Sequence, residues 1–221
     1  MAQGLKKGLF ITFEGTEGSG KSTQARMLCS FLKKKGFKAL YLREPGSTAI
    51  GERLREILLN FKKGISENTE MLLYIACRAQ IVSEKIIPAL KKNMIVVCDR
   101  FMDATVAYQG YGLGIDMGLI NRLNKLATHS IRPDVTFFLD VDVREGLRRS
   151  HNTKGYSDRI ERRSCNFHKK VKSGYLSLAK KFPGRIKVVS VNKGSVEKTQ
   201  AVIRGIISDV IKRYKGPDRG R

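Results

Sequence analysis

Eight residues, Gly15-Thr-Glu-Gly-Ser-Gly-Lys-Ser22, match the pattern G-x-x-x-x-G-K-[ST] at every fixed position. The residue types suit one kind of chemistry. Gly15, Gly18 and Gly20 let the backbone curl until successive N–H groups face inward, toward phosphate oxygens. A helix starting after the loop adds the positive end of its dipole. Lys21 can reach the β- and γ-phosphates, and the Ser22 hydroxyl can be offered to Mg²⁺. The expected triphosphate-contacting set is Gly15, Thr16, Glu17, Gly18, Ser19, Gly20, Lys21, Ser22 and Thr23.

The motif needs a strand before it and a helix after it, and both are legible. Leu9-Phe-Ile-Thr-Phe13 is apolar and reads as a buried strand. Ala25, Leu28, Cys29 and Leu32 recur at i, i+3, i+4, i+7, one face of a helix closed by Gly36. Further strands are expected at 38–42, 94–98, 135–139 and 186–190. Helices are expected at 49–60, at 67–91 with Ser66 as N-cap and a bend at Pro88, at 103–110, 116–128 and 195–214. A glycine-rich break is expected at 109–114. Alternating strands and helices predict an α/β fold with a mostly parallel sheet and helices on both faces. Ligands of such sheets sit at the carboxyl ends of the strands, so residues 15–22, 43–46 and 99–100 should meet in one crevice.

The chain has 221 residues, which suits one domain. No apolar run approaches the roughly 20 residues of a membrane span, so no membrane association is expected. The N-terminal residues run straight into the first strand without the apolar region and cleavage site of a signal peptide. The four cysteines are scattered and form no C-x-x-C pair, which suits buried free thiols in a reducing cytoplasm. The three histidines have no metal-ligand spacing. Lys and Arg number 43 against 20 Asp and Glu, a net charge of +23. Such a surplus calls for anionic partners: polyanionic nucleotides, or nucleic acid handled by an ATPase. No separate nucleic-acid-binding motif accompanies the charge, so a specific nucleic-acid partner is not expected.

Three features suggest a second anion site facing the first. Asp99-Arg100 ends an apolar strand; the carboxylate could hold Mg²⁺ and the guanidinium could clamp a phosphate, or the two could be a structural pair. Arg43 ends the second strand and either points into the same crevice or lies in a surface loop. Tyr74 and Arg78 share a helix face, where an aromatic ring can stack on a base and an arginine can bond its edge; plain core packing is the alternative.

The ordered set Phe13-Glu-Gly-Thr-Glu-Gly-Ser-Gly-Lys-Ser-Thr23, Arg43-Glu-Pro-Gly46, Tyr74-x-x-x-Arg78, Asp99-Arg100, Ala107-Tyr-Gln-Gly110, Arg132-Pro-Asp134 and Asp158-Arg-x-Glu161 resembles the bacterial thymidylate kinases, from about residue 8 to 210. The resemblance implies transfer of the γ-phosphoryl group of ATP to dTMP with Mg²⁺ as cofactor. It also implies a three-layer α/β/α domain spanning 1–221 with a five-stranded parallel core, a mobile lid at about 148–160 and a homodimer. Carried to matching positions, Arg43 and Arg100 resemble a dTMP phosphate clamp, with Pro45 beside them. Tyr74 stands where relatives often stack a Phe on thymine, and Arg78 would bind the base edge. Ala104, Thr105, Tyr108 and Gln109 would surround base and sugar, and Glu17 would lie near the 3′-hydroxyl.

Two departures follow from the same comparison. Some relatives carry an arginine in the phosphate loop where this chain has Gly18, so lid arginines are expected to supply transition-state charge: Arg149 and Arg159, with Lys154 as a substitute. Ala104 replaces a Ser or Asn of many relatives, which puts more weight on Thr105 and Gln109. Lys21, Arg100, Glu17, Arg149 and Arg159 are the expected catalytic groups, with Ser22 and Asp99 toward the metal. A different nucleotide or nucleoside kinase on the same scaffold remains the alternative, since Glu17 could act as a base toward a sugar hydroxyl.

Overall fold

The structure, a computed structural model, describes residues 5–191 and 195–215. Five strands form one parallel sheet: β1 (Leu9–Glu14), β2 (Ala39–Arg43), β3 (Ile95–Asp99), β4 (Val135–Asp140) and β5 (Ile186–Ser190). Their order across the sheet is β2-β3-β1-β4-β5. β1 is central, with Phe13 opposite Asp99 on one side and Phe137 on the other, while Arg43 lies opposite Asp99 across β2 and β3. This register gathers the carboxyl ends of β1, β2 and β3 at one edge, as the sequence pattern requires.

Side chains alternate across β1. Leu9, Ile11 and Phe13 pack with Ala25, Leu28 and Leu32 of α1 (Lys21–Lys34) and with Ile203 and Ile207 of α9 (Val196–Lys215). Phe10 faces the other layer, against Ile81, Val82 and Ile86. Glu14 is also fully buried, and strand alternation puts it on the Phe10 face, below the site. Each of these apolar side chains withdrawn from water contributes roughly 2 kcal/mol, so the sheet holds the loop ends rigidly.

The remaining elements refine the sequence reading. α2 (Ala49–Asn60) is capped by Thr48. α3 (Glu67–Ile81) is capped by Ser66, whose hydroxyl accepts from the Thr69 amide. The single helix expected to bend at Pro88 is instead interrupted earlier, by a π-helical turn over Val82–Ile86, and resumes as α4 (Ile87–Lys91). Pro88 has no N–H and its ring crowds the carbonyl four residues back; the wider register ahead of it relieves both. The expected helix at 103–110 is α5 (Met102–Thr105) running into a second π-helical turn, Val106–Gly112, so part of the expected glycine break is helical. Its glycines serve packing: a Cβ on Gly112 would sit 2.6 Å from the Phe167 ring. α6 (Met117–Ala127) follows. Two helices were not expected at all, α7 (Val143–Lys154) and α8 (Cys165–Lys181). Phe167, Val171, Tyr175 and Leu178 of α8 are buried at helical spacing, a signal present in the sequence but diluted by lysines.

Candidate active site

The loop between β1 and α1 is shaped by backbone. Gly18 and Gly20 have φ of 63° and 85°, the left-handed region that side chains resist. Gly20 is the N-cap of α1, no side chain among the described residues caps it, and no acidic residue stands in the first turn. Side chains cap α2, α3, α6, α7 and α8. The uncapped start of α1 keeps its donors for an anion. Ser19 Oγ is buried without a partner among the described residues.

Arg100 lies at the centre of the site. Its backbone has φ of 69°, an uncommon conformation for a residue with a side chain. The guanidinium donates to the Gly15 carbonyl at 3.1 Å, to Glu17 at 2.8 Å and to the Tyr108 hydroxyl at 3.0 Å. Tyr108 in turn donates to Glu17 at 2.7 Å. Lys21 Nζ donates to the Thr16 carbonyl at 3.2 Å and lies 3.6 Å from Glu17. Burial alone would raise the Glu17 carboxyl; Arg100, Lys21 and the Tyr108 hydroxyl together hold it well below the usual carboxylate range. Burial, then the charge of Arg100, depresses the Lys21 ammonium. The site is thus a desolvated, positively charged pocket awaiting negative charge.

Beneath it, Glu14 accepts from the Phe101 amide and from the Tyr175 hydroxyl, both at 2.8 Å. Burial, then the nearby Asp103, pushes its carboxyl up to about 8. Ser22 Oγ donates to Asp99 Oδ2. Asp99 Oδ1 is buried without a hydrogen-bond partner among the described residues. A hydroxyl joined to a carboxylate with a spare oxygen suits Mg²⁺, which takes few protein ligands and otherwise water and phosphate oxygens. No cluster of three or more His, Cys, Asp or Glu suited to a metal occurs among the described residues.

One cavity of about 680 Å³ joins this pocket to Tyr74, Arg78 and Gln109. Of the expected residues, Glu17, Gly18, Gly20, Lys21, Ser22, Thr23, Arg43, Pro45, Tyr74, Arg78, Asp99, Arg100, Ala104, Thr105, Tyr108, Gln109 and Arg149 line it. Gly15, Thr16 and Ser19 form the loop behind that wall. Arg43 is half-exposed and paired with Glu52 at 2.8 Å. Arg78 is buried: it pairs with Glu44 at 2.5 Å and donates to Thr105 Oγ1 at 2.7 Å, to Asn124 at 2.5 Å and to the Phe101 carbonyl at 3.0 Å. Only its Nε finds no hydrogen-bond partner among the described residues. Burial, then the charge of Glu70, pushes the Tyr74 phenol up, so the ring is neutral.

The segment expected as a lid divides. Arg149 sits on α7, reaches the cavity and donates to Glu145 at 2.7 Å. Arg159 is not on the cavity wall; it donates to the Leu58 carbonyl at 2.8 Å and to Glu70 at 2.7 Å. The buried Glu70 carboxylate is a stronger attractor for that guanidinium than open water. The Lys154 side chain lies outside the described residues. The structure also explains the glycine at position 18. α7 packs directly on the loop, and a Cβ on Gly18 would sit 1.9 Å from the Gly146 carbonyl oxygen. No arginine fits there without moving α7, while Arg149 lies three residues beyond Gly146.

Sequence reasoning missed Arg26, Tyr41 and Arg55 on the cavity wall, and Glu70 behind it. Arg55 donates to the Pro45 carbonyl at 2.9 Å and stands four residues after the buried Gly51, a spacing that could have revealed it. Glu70 carried no signal beyond a first-turn acid on α3.

The thymidylate kinase family model matches residues 13–203. This chain belongs to the thymidylate kinase family. A thymidylate kinase of Thermoanaerobacter sp. (strain X514) is 45% identical over 208 residues, covering 94% of this chain and 99% of that one. One from Geotalea daltonii is 47% identical over 207 residues, covering 89% and 97%. The crystal structure of thymidylate kinase from Ehrlichia chaffeensis superposes with a TM-score of 0.75 at 34% identity, covering 91% of this chain and 99% of that one. The five-stranded parallel sheet flanked by helices is the P-loop α/β fold of the thymidylate kinases.

Proposed function

We propose that this chain transfers the γ-phosphoryl group of ATP to dTMP, giving dTDP and ADP. Family membership supports the reaction. The observation that carries it is a single cavity lined both by Lys21 and Arg100 and by Tyr74, Arg78 and Gln109. Phosphate-binding and base-binding groups on one wall support a triphosphate and a nucleoside monophosphate bound side by side.

The chemistry needs charge more than base catalysis. A phosphate monoester has a second pKa near ~6 and is an anionic nucleophile at neutral pH. The barrier is repulsion between two polyanions, which buried, preorganised cations relieve. Lys21 and the open N-terminus of α1 take the donor phosphates. Arg100, with Arg43, takes the acceptor phosphate, Arg43 exchanging Glu52 for the ligand. Arg149 reaches in from α7 and takes the role that a loop arginine has in some relatives. Ser22 and Asp99 would hold Mg²⁺, which supplies neutralising charge between the phosphates when bound. Glu17 is depressed and ion-paired, hence a weak base, and this counts against a nucleoside kinase in which it would deprotonate a sugar hydroxyl. It serves better as an acceptor for the 3′-hydroxyl and as the anchor of Arg100 and Lys21.

We read the chain as one domain, since all three hydrophobic clusters share the one sheet. Residues 148–160 act as its lid. Exposed Leu72 on α3 and Leu126 on α6 support a homodimer. Four free cysteines, three of them buried, support a cytoplasmic site of action. Among the described residues no helix is long and apolar enough to cross a membrane.

ADP release with Mg-ATP tests the proposal against dTMP, dUMP, UMP, dCMP, AMP, GMP and thymidine. Turnover of dTMP ahead of the rest is expected. Turnover of thymidine but not dTMP would return Glu17 to the role of base and overturn the reading.

A further inference from the structure

Glu70 is fully buried at the start of α3 and faces no substrate-lining surface of its own. Three donors converge on it from distant parts of the chain. Gln109 Nε2 donates to Oε1 at 2.9 Å, and Arg159 and Arg163 donate to Oε2 at 2.7 and 2.6 Å. Among the described residues two arginines hold one oxygen, and the other oxygen is left to a single amide.

That amide belongs to a residue on the cavity wall. Gln109 is 2% exposed and lines the cavity near Arg78 and Thr105. An amide can usually turn over and exchange its oxygen for its nitrogen. Here the turned form would set the Gln109 carbonyl oxygen against a carboxylate oxygen, with no proton between two acceptors. The carboxylate therefore fixes which end of the amide is committed to position 70, and the carbonyl oxygen remains for a ligand.

The polarity of that remaining group matches one class of base. Thymine and uracil present a carbonyl oxygen at C4 and a donor at N3. Cytosine presents the reverse, an amino group at C4 and an acceptor at N3. Gln109 Oε1 is an acceptor whose orientation is set. That acceptor is matched by the N3–H of thymine or uracil and opposed by the bare N3 of cytosine.

We propose that Glu70 is a positioning residue for base selection: by holding the Gln109 amide it turns an acceptor toward the base, so that dTMP and dUMP are taken and dCMP is refused. This rests on the dTMP reading above. Arg159 and Arg163 serve the same end by holding the carboxylate in place.

The test is Glu70→Gln. An amide at 70 keeps an acceptor for one arginine but can now donate to Gln109, which frees Gln109 to turn its NH₂ toward the cavity. The kcat/KM ratio of dTMP to dCMP is expected to fall at least about tenfold, carried by a higher KM for dTMP and gained turnover of dCMP. The ratio of dTMP to dUMP, which share the edge being read, stays within about twofold, as does the KM for ATP. In a Gln109→Leu background, Glu70→Gln is expected to leave the dTMP to dCMP ratio within about twofold. A common loss on dTMP, dUMP and dCMP, or the same ratio change without Gln109, overturns the proposal. If Glu70→Gln does not fold, Gln109→Leu alone carries the test: the ratio is expected to fall, and an unchanged ratio overturns it. A wild-type chain that does not phosphorylate dTMP would instead overturn the functional reading. Wild-type turnover of dTMP with an unchanged ratio in Glu70→Gln overturns only this inference.

Discussion

The two ends of the cavity are built differently. Apart from Arg100 and Arg149, the phosphate end comes from neighbours in the chain: a strand, a loop whose glycines allow positive φ, and a helix whose start no described side chain caps. Among the described residues its central lysine has few partners, one carbonyl and one carboxylate that Arg100 also holds. The base end comes from side chains that meet only in the fold. Arg78 joins Glu44, Phe101, Thr105 and Asn124, and Gln109 joins Glu70 and, through it, Arg159 and Arg163. At the phosphate end binding and stability are separable. At the proposed base end the groups assigned to the ligand also hold the core together.

Lys21→Ala tests that division with the largest expected effect. It should lower kcat about a hundredfold or more, with a melting temperature close to wild type. A variant that unfolds instead would show that the phosphate end is not separable from stability. Arg78→Ala should do both things at once. KM for dTMP rises well ahead of KM for ATP, and the buried Glu44 left without its partner lowers stability by about 3–5 kcal/mol, measured by denaturant unfolding. An unchanged unfolding midpoint would break the comparison from the other side.

The smallest effect sharpens it at the floor between the two ends. The Glu14 carboxyl is raised from 4.5 to about 8 in the folded state, so above the lower value the unfolded chain releases a proton that the folded chain keeps. Stability from this group is therefore present at low pH and declines as pH rises between those values. Wild-type melting temperature should fall across that window more steeply than that of Glu14→Gln. Parallel profiles would mean that Arg100 and Tyr175 hold Glu14 ionised.

Much of this was legible before any coordinates. The loop, the five strands and the α1 face follow from local residue order, because glycine freedom, β-branched runs and helical spacing act within a few residues. The cavity wall was legible in part: Arg100, Tyr74 and Arg78 stand at strand ends and on one helix face. The region 140–185 was not, since the apolar residues of α8 are interleaved with lysines, and α7 shows little apolar periodicity.

What the sequence determined by itself is the α/β order, the phosphate loop and the family, all properties of contiguous or ordered residues. Only the tertiary structure decided which arginine faces the cavity. Arg149 does and Arg159 does not, because a buried carboxylate 89 residues away in the chain captures Arg159. It also decided that position 18 must be glycine, because a helix from beyond β4 lies on it. Backbone conformation is chosen by near neighbours. The partner of a buried charge is chosen by whatever the fold brings within reach, and sequence distance carries no information about that.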